Sequence, residues 1–365
     1  MTADGLTLDV AHVDYSALTE TITKVDVRQF RNETKAAQRA DPGIATGLSS
    51  ATSVISVVAI IIAAIMIGFV FLGMVVAITT TPDGGVDVGG LLVSAVIVLI
   101  FVGITLAVFR QAFGLRGHWA KWMRLTRFAA RNGLQFRNRS VSVSYPGCVF
   151  QTGDDRSAYD HFSTTSGRFL DFGNYQYSTG SGKSRSTHRW GYLALQLDRQ
   201  LPNMVLDSKA NNGLFGTNLP ESFNRNQVLS LEGDFDTHFT LYCPQQYEED
   251  ALYVFTPDLM ALLIDDAAPF DVEIVDNWMF LYSATPFNEL EVPTYDRLFS
   301  IVSTVGSKAI SQTDRYHDDR VGSIAANIVA PAGQRLRHGT SIIGIVVVGG
   351  FAVFWLWNTV GSFIR

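Results

Sequence analysis

Residues 190–197 read WGYLALQL, and this stretch decides the fold that the sequence predicts. Its three leucines occupy every second position, so in an extended chain they face one side while the residues between them face the other. Such period-two alternation is typical of a half-buried β-strand. Three further segments show a similar pattern and are predicted to be strands: NMVLD (203–207), HFTLYC (238–243) and ALYVF (251–255).

The segment DVEIVDNWMFLYS (271–283) is predicted to form a hairpin. Its turn would lie at Asp276-Asn277, because Asp and Asn accept the backbone conformations that tight turns require. Strands joined by hairpins run antiparallel. We therefore expect a mainly antiparallel sheet.

Helical segments are predicted on both sides of these strands. Thr256 and Pro257 form a typical helix start, with an N-cap residue followed by proline at the first helical position. Hydrophobic periodicity and end signals indicate the others. The predicted helices cover residues 15–39, 119–132, 257–265 and a stretch that begins near Thr294. Sheet and helices together predict an α+β domain.

Three long runs without a charged residue are predicted to cross a membrane as helices. They cover residues 54–78, 88–109 and 341–363. A hydrocarbon core of roughly 30 Å requires about 20 apolar residues in a helix, and each run is long enough. Because ion and proton pathways need ionisable groups within the spans, these three are predicted to act as anchors.

The placement of basic residues predicts the orientation. The loop between the first two runs has two Asp and no Lys or Arg, whereas basic residues follow the second run closely. We therefore expect a multi-pass protein of the bacterial plasma membrane, with its N-terminus and main domain in the cytoplasm and its C-terminus outside. The predicted divisions are a partly helical N-terminal segment (1–52), a transmembrane hairpin (53–110), the cytoplasmic α+β domain (111–333) and a third span (340–363).

A basic and aromatic segment follows the second run. No Asp or Glu occurs between residues 88 and 153, and eight Lys or Arg fall in that interval. The other 20 basic residues face 34 acids, a formal charge of −14, which argues against nucleic acid as the partner. The segment is predicted to lie on anionic lipid headgroups, with a solvated connecting helix as the alternative. The predicted contact residues are Arg116, Trp119, Lys121, Trp122, Arg124, Arg127 and Arg131. Trp355 and Trp357 are predicted to be anchors at the outer interface.

The stretch YSTGSGKSRST (177–187) resembles part of a phosphate-binding loop. Such a loop needs a glycine five positions before its Gly-Lys-Ser, and Tyr177 stands there instead. Because the residues on both sides alternate with period two, the loop from Gly180 to Ser184 is predicted to connect two strands of a hairpin. No nucleotide is expected to bind there.

No metal site, cofactor or catalytic residue is predicted. Cys148 and Cys243 are expected to be free thiols, since both fall in the predicted cytoplasmic domain. The acidic stretches DDRSAYDH (154–161) and LEGDF (231–235) are predicted to be solvated turns. Asp265 and Asp266 are interpreted in the same way.

Three segments carry a resemblance to a known family: residues 201–212, 229–265 and 272–282. They resemble the cytoplasmic domain of a family of three-span actinobacterial membrane proteins. More loosely, the helix end at residues 128–133 and the helix start at 256–264 resemble a wider bacterial domain. The resemblance covers about two thirds of the chain and implies a plasma-membrane location and an α+β domain. It implies no catalytic residue.

Three functions agree with these features. The leading hypothesis is a membrane-anchored, non-enzymatic interaction or regulatory module whose partners are the lipid bilayer and another protein. Its domain is rich in aromatic residues, with 24 Phe, 12 Tyr and 6 Trp in the chain, and such residues are common in contact surfaces. The alternatives are a membrane-bound, hydrolase-like enzyme with a site assembled from distant residues, and an accessory subunit of a transport or respiratory membrane complex. Turnover that is lost on changing Glu232 or Asp234 to Ala would contradict the leading hypothesis.

Overall fold

The computed structural model describes residues 12–40, 118–141, 143–213, 216–321 and 327–339, together with single helical positions between 65 and 103 and Trp355. Two compact units make up the chain. The first combines Met1–Glu20 with Leu125–Arg365, and the second is Thr21–Arg124. The β-sheet belongs to the first unit.

The described residues contain no helix that is both long enough and apolar enough to cross a membrane. This finding contradicts the predicted three-span anchor and the predicted multi-pass plasma-membrane location. Hydropathy records only how apolar a run is, whereas a span also requires one continuous helix of about 20 residues. Most of residues 54–78, 88–109 and 341–363 lie outside the described residues, as do Arg116 and Trp357.

The described part of the first unit holds a seven-stranded antiparallel sheet, which confirms the predicted sheet domain. Its strands are β1 Leu134–Val141, β2 Asp154–Thr164, β3 Leu170–Thr179, β4 Ser186–Ser208, β5 Val228–Leu229, β6 Phe239–Tyr242 and β7 Asp271–Ser283. The strand order is β1-β2-β3-β4-β6-β5, and β7 pairs with β4 outside this path.

Helices precede the sheet, lie between its strands and follow it. They are α1 Ser16–Thr19, α2 Lys24–Ala40, α3 over residues 118–131, α4 Cys148–Gln151, α5 Phe235–His238, α6 Glu248–Val254, α7 Pro257–Leu262, α8 Val292–Ile301, α9 Ser307–Thr313 and α10 Pro331–Gln334. A π-helical turn, Leu263–Ala267, extends α7, and another, Val302–Gly306, joins α8 to α9. The predicted helices at α3, α7 and α8 are confirmed. The predicted helix over residues 15–39 is divided, because Glu20 adopts an extended conformation after α1.

The longest strand, β4, has 23 residues and pairs with three others. Its residues 186–195 pair with β3, residues 191–206 with β7, and residues 205–208 with β6. Residues 191–195 of the WGYLALQL stretch pair with both β3 and β7. Its leucines pack in one apolar cluster, while Tyr192 and Ala194 are fully buried in a second cluster on the opposite face. The strand prediction is confirmed, but both faces are buried instead of one.

Two predicted strand patterns have other structures. Residues 271–283 form one continuous strand, and Asp276, at φ 54°, marks an irregularity in its pairing with β4 instead of a hairpin turn. The ALYVF segment lies mainly in helix α6. Three acidic residues in the first turn of α6 favour the helix, because they interact with its positive end.

Candidate functional site

A chain of hydrogen bonds joins three side chains on neighbouring strands. Ser140 Oγ on β1 lies 2.8 Å from His161 Nε2 on β2, and His161 Nδ1 lies 2.9 Å from Asp171 Oδ1 on β3. The side chains of His161 and Asp171 are 2% and 4% exposed, whereas Ser140 is half-buried. We refer to Ser140, His161 and Asp171 as the Ser–His–Asp array.

An irregularity in β2 brings His161 into this array. The pairing of β2 with β3 shifts register between Tyr159 and Phe162, and Asp160 has a φ of 46°. On the facing strand, Gly173 lets the two backbones approach closely, since a Cβ there would lie 2.5 Å from His161 Cα. Bulges of this kind reorient a side chain. This one accompanies the contact of the imidazole with Asp171.

Two tyrosines complete the surroundings of Asp171. Tyr145 OH donates to Asp171 Oδ2 at 2.6 Å, and Tyr192 OH donates to Asp171 Oδ1 at 2.9 Å. Burial and the Asp171 carboxylate raise the pKa of both tyrosines, so both remain protonated donors. A buried carboxylate is stable when such donors surround it.

The array has a defined direction of hydrogen bonding. A carboxylate can only accept, so with a neutral imidazole Nδ1 donates to Asp171 and Nε2 is left to accept the hydroxyl hydrogen of Ser140. This is the order in which serine hydrolases connect nucleophile, base and orienting carboxylate. The predicted turn over residues 154–161 is wrong, because these residues lie in β2. Asp154 and Asp155 are exposed as expected, but Asp160 and His161 are buried.

The array lies at one edge of the sheet. Strand β1 is the terminal strand on its side of the described sheet. Its side chains alternate, and Gln135, Arg137, Arg139 and Val141 are exposed, the last of them by 71%. Two exposed arginines, Arg137 and Arg139, therefore precede Ser140 on the same strand.

No protein-family model matches this chain. No curated protein sequence matches it. Among solved structures, the crystal structure of the mycobacterial trehalose monomycolate transport factor A is similar at a TM-score of 0.32 and 12% identity, covering 50% of this chain and 93% of that protein. A likeness of this degree establishes neither a common fold nor a common role.

The predicted lipid-contact residues occupy both units. In the first, Arg127 and Arg131 form ion pairs with Glu20 at 2.5 and 2.9 Å. In the second, Trp119 and Trp122 are half-buried, with their rings 5.5 Å apart, and Lys121 and Arg124 are half-buried as well. Trp355 is helical and 59% exposed. The predicted contact with a lipid surface stays a prediction.

The other residues that the sequence analysis considered do not join the Ser–His–Asp array. Residues 180–184 lie in the connection between β3 and β4, which confirms the predicted hairpin. Glu232 and Asp234 are exposed. Cys148 and Cys243 are free and buried, and burial raises the pKa of both thiols, that of Cys243 to about 12. Within the part of the chain that the structure describes, no group of three His, Cys, Asp or Glu is placed to hold a metal ion.

Three further carboxyls are buried in β4 and β7: Asp207, Asp271 and Glu273. Burial raises the pKa of all three. For Asp271, burial and then the Asp207 carboxylate raise the pKa to about 7, against hydrogen bonds from Ser208 and Asn211 that lower it. Asp271 therefore holds its proton in the folded chain at pH values where an unfolded chain has lost it.

This raised pKa predicts a pH dependence of stability. Between about pH 4 and 7 the folded state binds a proton that the unfolded state has released, so the free energy of unfolding falls as pH rises through this window. The Asp271→Asn variant lacks this proton. We expect the stability of the wild type relative to the variant to fall by about 2 kcal/mol from pH 5 to pH 8.

Urea unfolding of both full-length proteins at the two pH values measures this difference. Asp319→Asn, at an exposed carboxyl, is the matched control and should follow the wild type. If the free energies of unfolding of the wild type and of Asp271→Asn differ by the same amount at pH 5 and at pH 8, Asp271 is already ionised at pH 5.

Proposed function

We propose that the first unit is an interaction module, which binds a partner protein by accepting an extended acidic segment of that partner as an added strand beside β1. The observation that supports this proposal is the character of β1. It is an eight-residue terminal strand of the described sheet, and it carries two exposed arginines. Strand addition at a sheet edge is a recurrent mode of peptide recognition.

The backbone of β1 supplies the affinity in this proposal. A terminal strand presents a row of N–H and C=O groups that no neighbouring strand pairs. An extended segment of the partner would pair with these groups through hydrogen bonds along the eight residues of β1. The length of β1 exceeds that of an average strand and suits such a ladder.

The charge of β1 selects the partner. Arg137 and Arg139 project from the same face of the strand and are exposed, and residues 88–153 contain no acid to neutralise them from within the segment. Acidic side chains at alternate positions of the added strand would lie beside them. A second copy of β1 would place arginines against arginines, which opposes self-association.

Strand addition at β1 would serve a protein that regulates its partner, and it would equally serve an accessory subunit of a larger assembly. An accessory subunit of a transport or respiratory complex would use the β1 edge to hold its neighbour. The identity of the bound protein distinguishes these roles.

Reversing both charges tests the proposal. We expect the double variant Arg137→Glu/Arg139→Glu to bind the partner about tenfold more weakly, or worse. Two attractions become repulsions, and 1.4 kcal/mol of binding free energy corresponds to a factor of ten in affinity. The measurement is quantitative co-purification of tagged full-length protein from its own cells. A photo-cross-linking amino acid at Gln135 identifies the segment that lies beside β1.

Arg189→Glu is the matched control, since Arg189 is also exposed and on a strand but lies on β4, which β2 and β3 separate from β1. It should retain the partner. Equal retention by the double variant, or cross-links from position 135 to a basic or helical segment, would contradict strand addition by an acidic segment.

A further inference from the structure

We propose that the Ser–His–Asp array is an acyl-transfer site, in which Ser140 attacks small carboxylic esters, His161 is the general base and Asp171 positions the imidazole. This activity goes beyond the binding of a partner protein, and it uses groups on the edge of β1 that an added strand would otherwise pair. It develops the hypothesis of a hydrolase whose residues come from different strands.

The distances meet the requirements of nucleophilic catalysis. A serine hydroxyl is a weak nucleophile unless a base lies within hydrogen-bonding reach, about 2.6–3.2 Å, and a third group orients that base. Here the two distances are 2.8 Å for Ser140 Oγ to His161 Nε2 and 2.9 Å for His161 Nδ1 to Asp171 Oδ1. The hydroxyls of Tyr145 and Tyr192 fix the carboxylate in turn.

Exposure increases along the array in the direction that acyl transfer requires. Asp171 and His161 are almost fully buried, so bulk water does not compete for their hydrogen bonds. Ser140 is half-buried on the terminal strand and is the most exposed member of the array. We assign small esters as substrates because a half-buried serine leaves little room for a bulky acyl group.

The edge of β1 also supplies donors for the developing oxyanion. In an antiparallel pair, the N–H groups of successive residues point alternately toward the partner strand and away from it. Either the N–H of Ser140 or those of Arg139 and Val141 therefore point away from β2. Backbone N–H groups beside the nucleophile are the usual stabilisers of an acyl-transfer oxyanion.

The reaction needs only the ester and water. Ser140 Oγ forms a bond to the acyl carbon while its proton passes to His161 Nε2. The ester C–O bond breaks, and His161 returns that proton to the leaving alcohol. Water then attacks the acyl-Ser140, His161 accepts its proton, and transfer of that proton to Ser140 releases the carboxylic acid.

The test uses the full-length chain with a fluorophosphonate probe and with p-nitrophenyl acetate. We expect a covalent adduct that peptide mapping places on Ser140. The Ser140→Ala variant should lose the adduct, and its hydrolysis rate should fall about 1,000-fold, toward that of the buffer. Ser178→Ala, which removes a buried strand hydroxyl outside the array, should react like the wild type.

Asp171→Asn distinguishes positioning from structural support. An amide in place of the carboxylate favours the wrong imidazole tautomer, so we expect hydrolysis to fall about 1,000-fold or more with the circular dichroism spectrum retained. Folded wild-type protein without an adduct at Ser140, or Ser140→Ala that hydrolyses the ester as fast as the wild type, would show that the array only ties β1, β2 and β3 together.

Discussion

Replacing Phe150 by alanine will lower the free energy of unfolding by about 3–5 kcal/mol. Phe150 is fully buried in helix α4, and its ring centroid lies 4.6 Å from that of Tyr175 and 5.2 Å from that of Tyr192. Tyr145 and Phe280 approach it to 5.1 and 5.4 Å. An alanine would leave a cavity that these rigid rings cannot fill, which adds to the lost transfer energy.

The same substitution affects the candidate site. Tyr145 and Tyr192, which contact Phe150, are also the two phenols that donate to Asp171. We therefore expect Phe150→Ala to weaken the support of the Ser–His–Asp array as well as the core.

Urea unfolding of the full-length chain measures the effect of Phe150→Ala, and Tyr253→Ala is its control. Tyr253 is an aromatic residue of the first unit that is 41% exposed, so its truncation should change stability far less. A loss below about 1.5 kcal/mol for Phe150→Ala would mean that the surrounding rings close over the cavity.

Replacing Asp318 by alanine will also lower the free energy of unfolding by about 3–5 kcal/mol. The side chain of Asp318 is fully buried. One carboxylate oxygen accepts from Tyr247 OH at 2.8 Å and from the backbone N–H of Ala330 at 2.9 Å. The other accepts from the backbone N–H of Arg320 at 3.0 Å and from its guanidinium at 3.2 Å. Truncation would remove the acceptor of Tyr247 OH and of the backbone N–H groups of Ala330 and Arg320, whereas the Arg320 guanidinium would keep its ion pair with Asp250. Donors left without an acceptor are costly.

The lowered pKa of Asp318 also predicts how the stability of the fold depends on pH. Burial alone would raise the pKa, but the four hydrogen bonds outweigh it and lower the pKa below its ordinary value. Stability from Asp318 is therefore present at neutral pH and is lost as pH falls through the lowered pKa. Thermal unfolding of Asp318→Ala should change less between pH 7 and pH 3 than that of the wild type.

Asp319→Ala is the control for this change, because the neighbouring carboxylate is 87% exposed and should contribute within about 0.5 kcal/mol. If Asp318→Ala unfolds at the wild-type temperature, the four hydrogen bonds to Asp318 do not stabilise the fold.

Local pattern predicts much of this fold and misses its long-range pairings. The alternation of WGYLALQL predicts a strand, and the Thr256-Pro257 start predicts α7, because both signals depend on adjacent residues. Whether residues 271–283 turn back or continue depends on β4, which pairs with them from more than 60 positions away in sequence. The helix in ALYVF likewise depends on acids in its first turn that outweigh a short apolar pattern.

The candidate site cannot be predicted from the sequence, because the pairing of distant strands brings its residues together. Ser140, His161 and Asp171 match no motif of fixed spacing, and DDRSAYDH looks solvated from its polarity alone. Only the register shift in β2 and the close approach at Gly173 turn His161 inward. The only sequence signal for this region is the period-two alternation before the loop from Gly180 to Ser184, which predicts a strand that follows Asp171.

The shared strand β4 has a consequence for how the chain is made. One of its edges pairs with β3, which precedes it on the chain, but the other is covered mainly by β7, which ends 75 residues after β4 does, at Ser283 against Ser208. At about 5–20 residues per second, a ribosome needs roughly 4–15 s to synthesise that interval. During this time a long apolar strand has an open edge, and open edges invite pairing with other chains. The nascent chain is therefore most prone to aggregation before β7 emerges, and that interval is when a chaperone would contribute most to its yield.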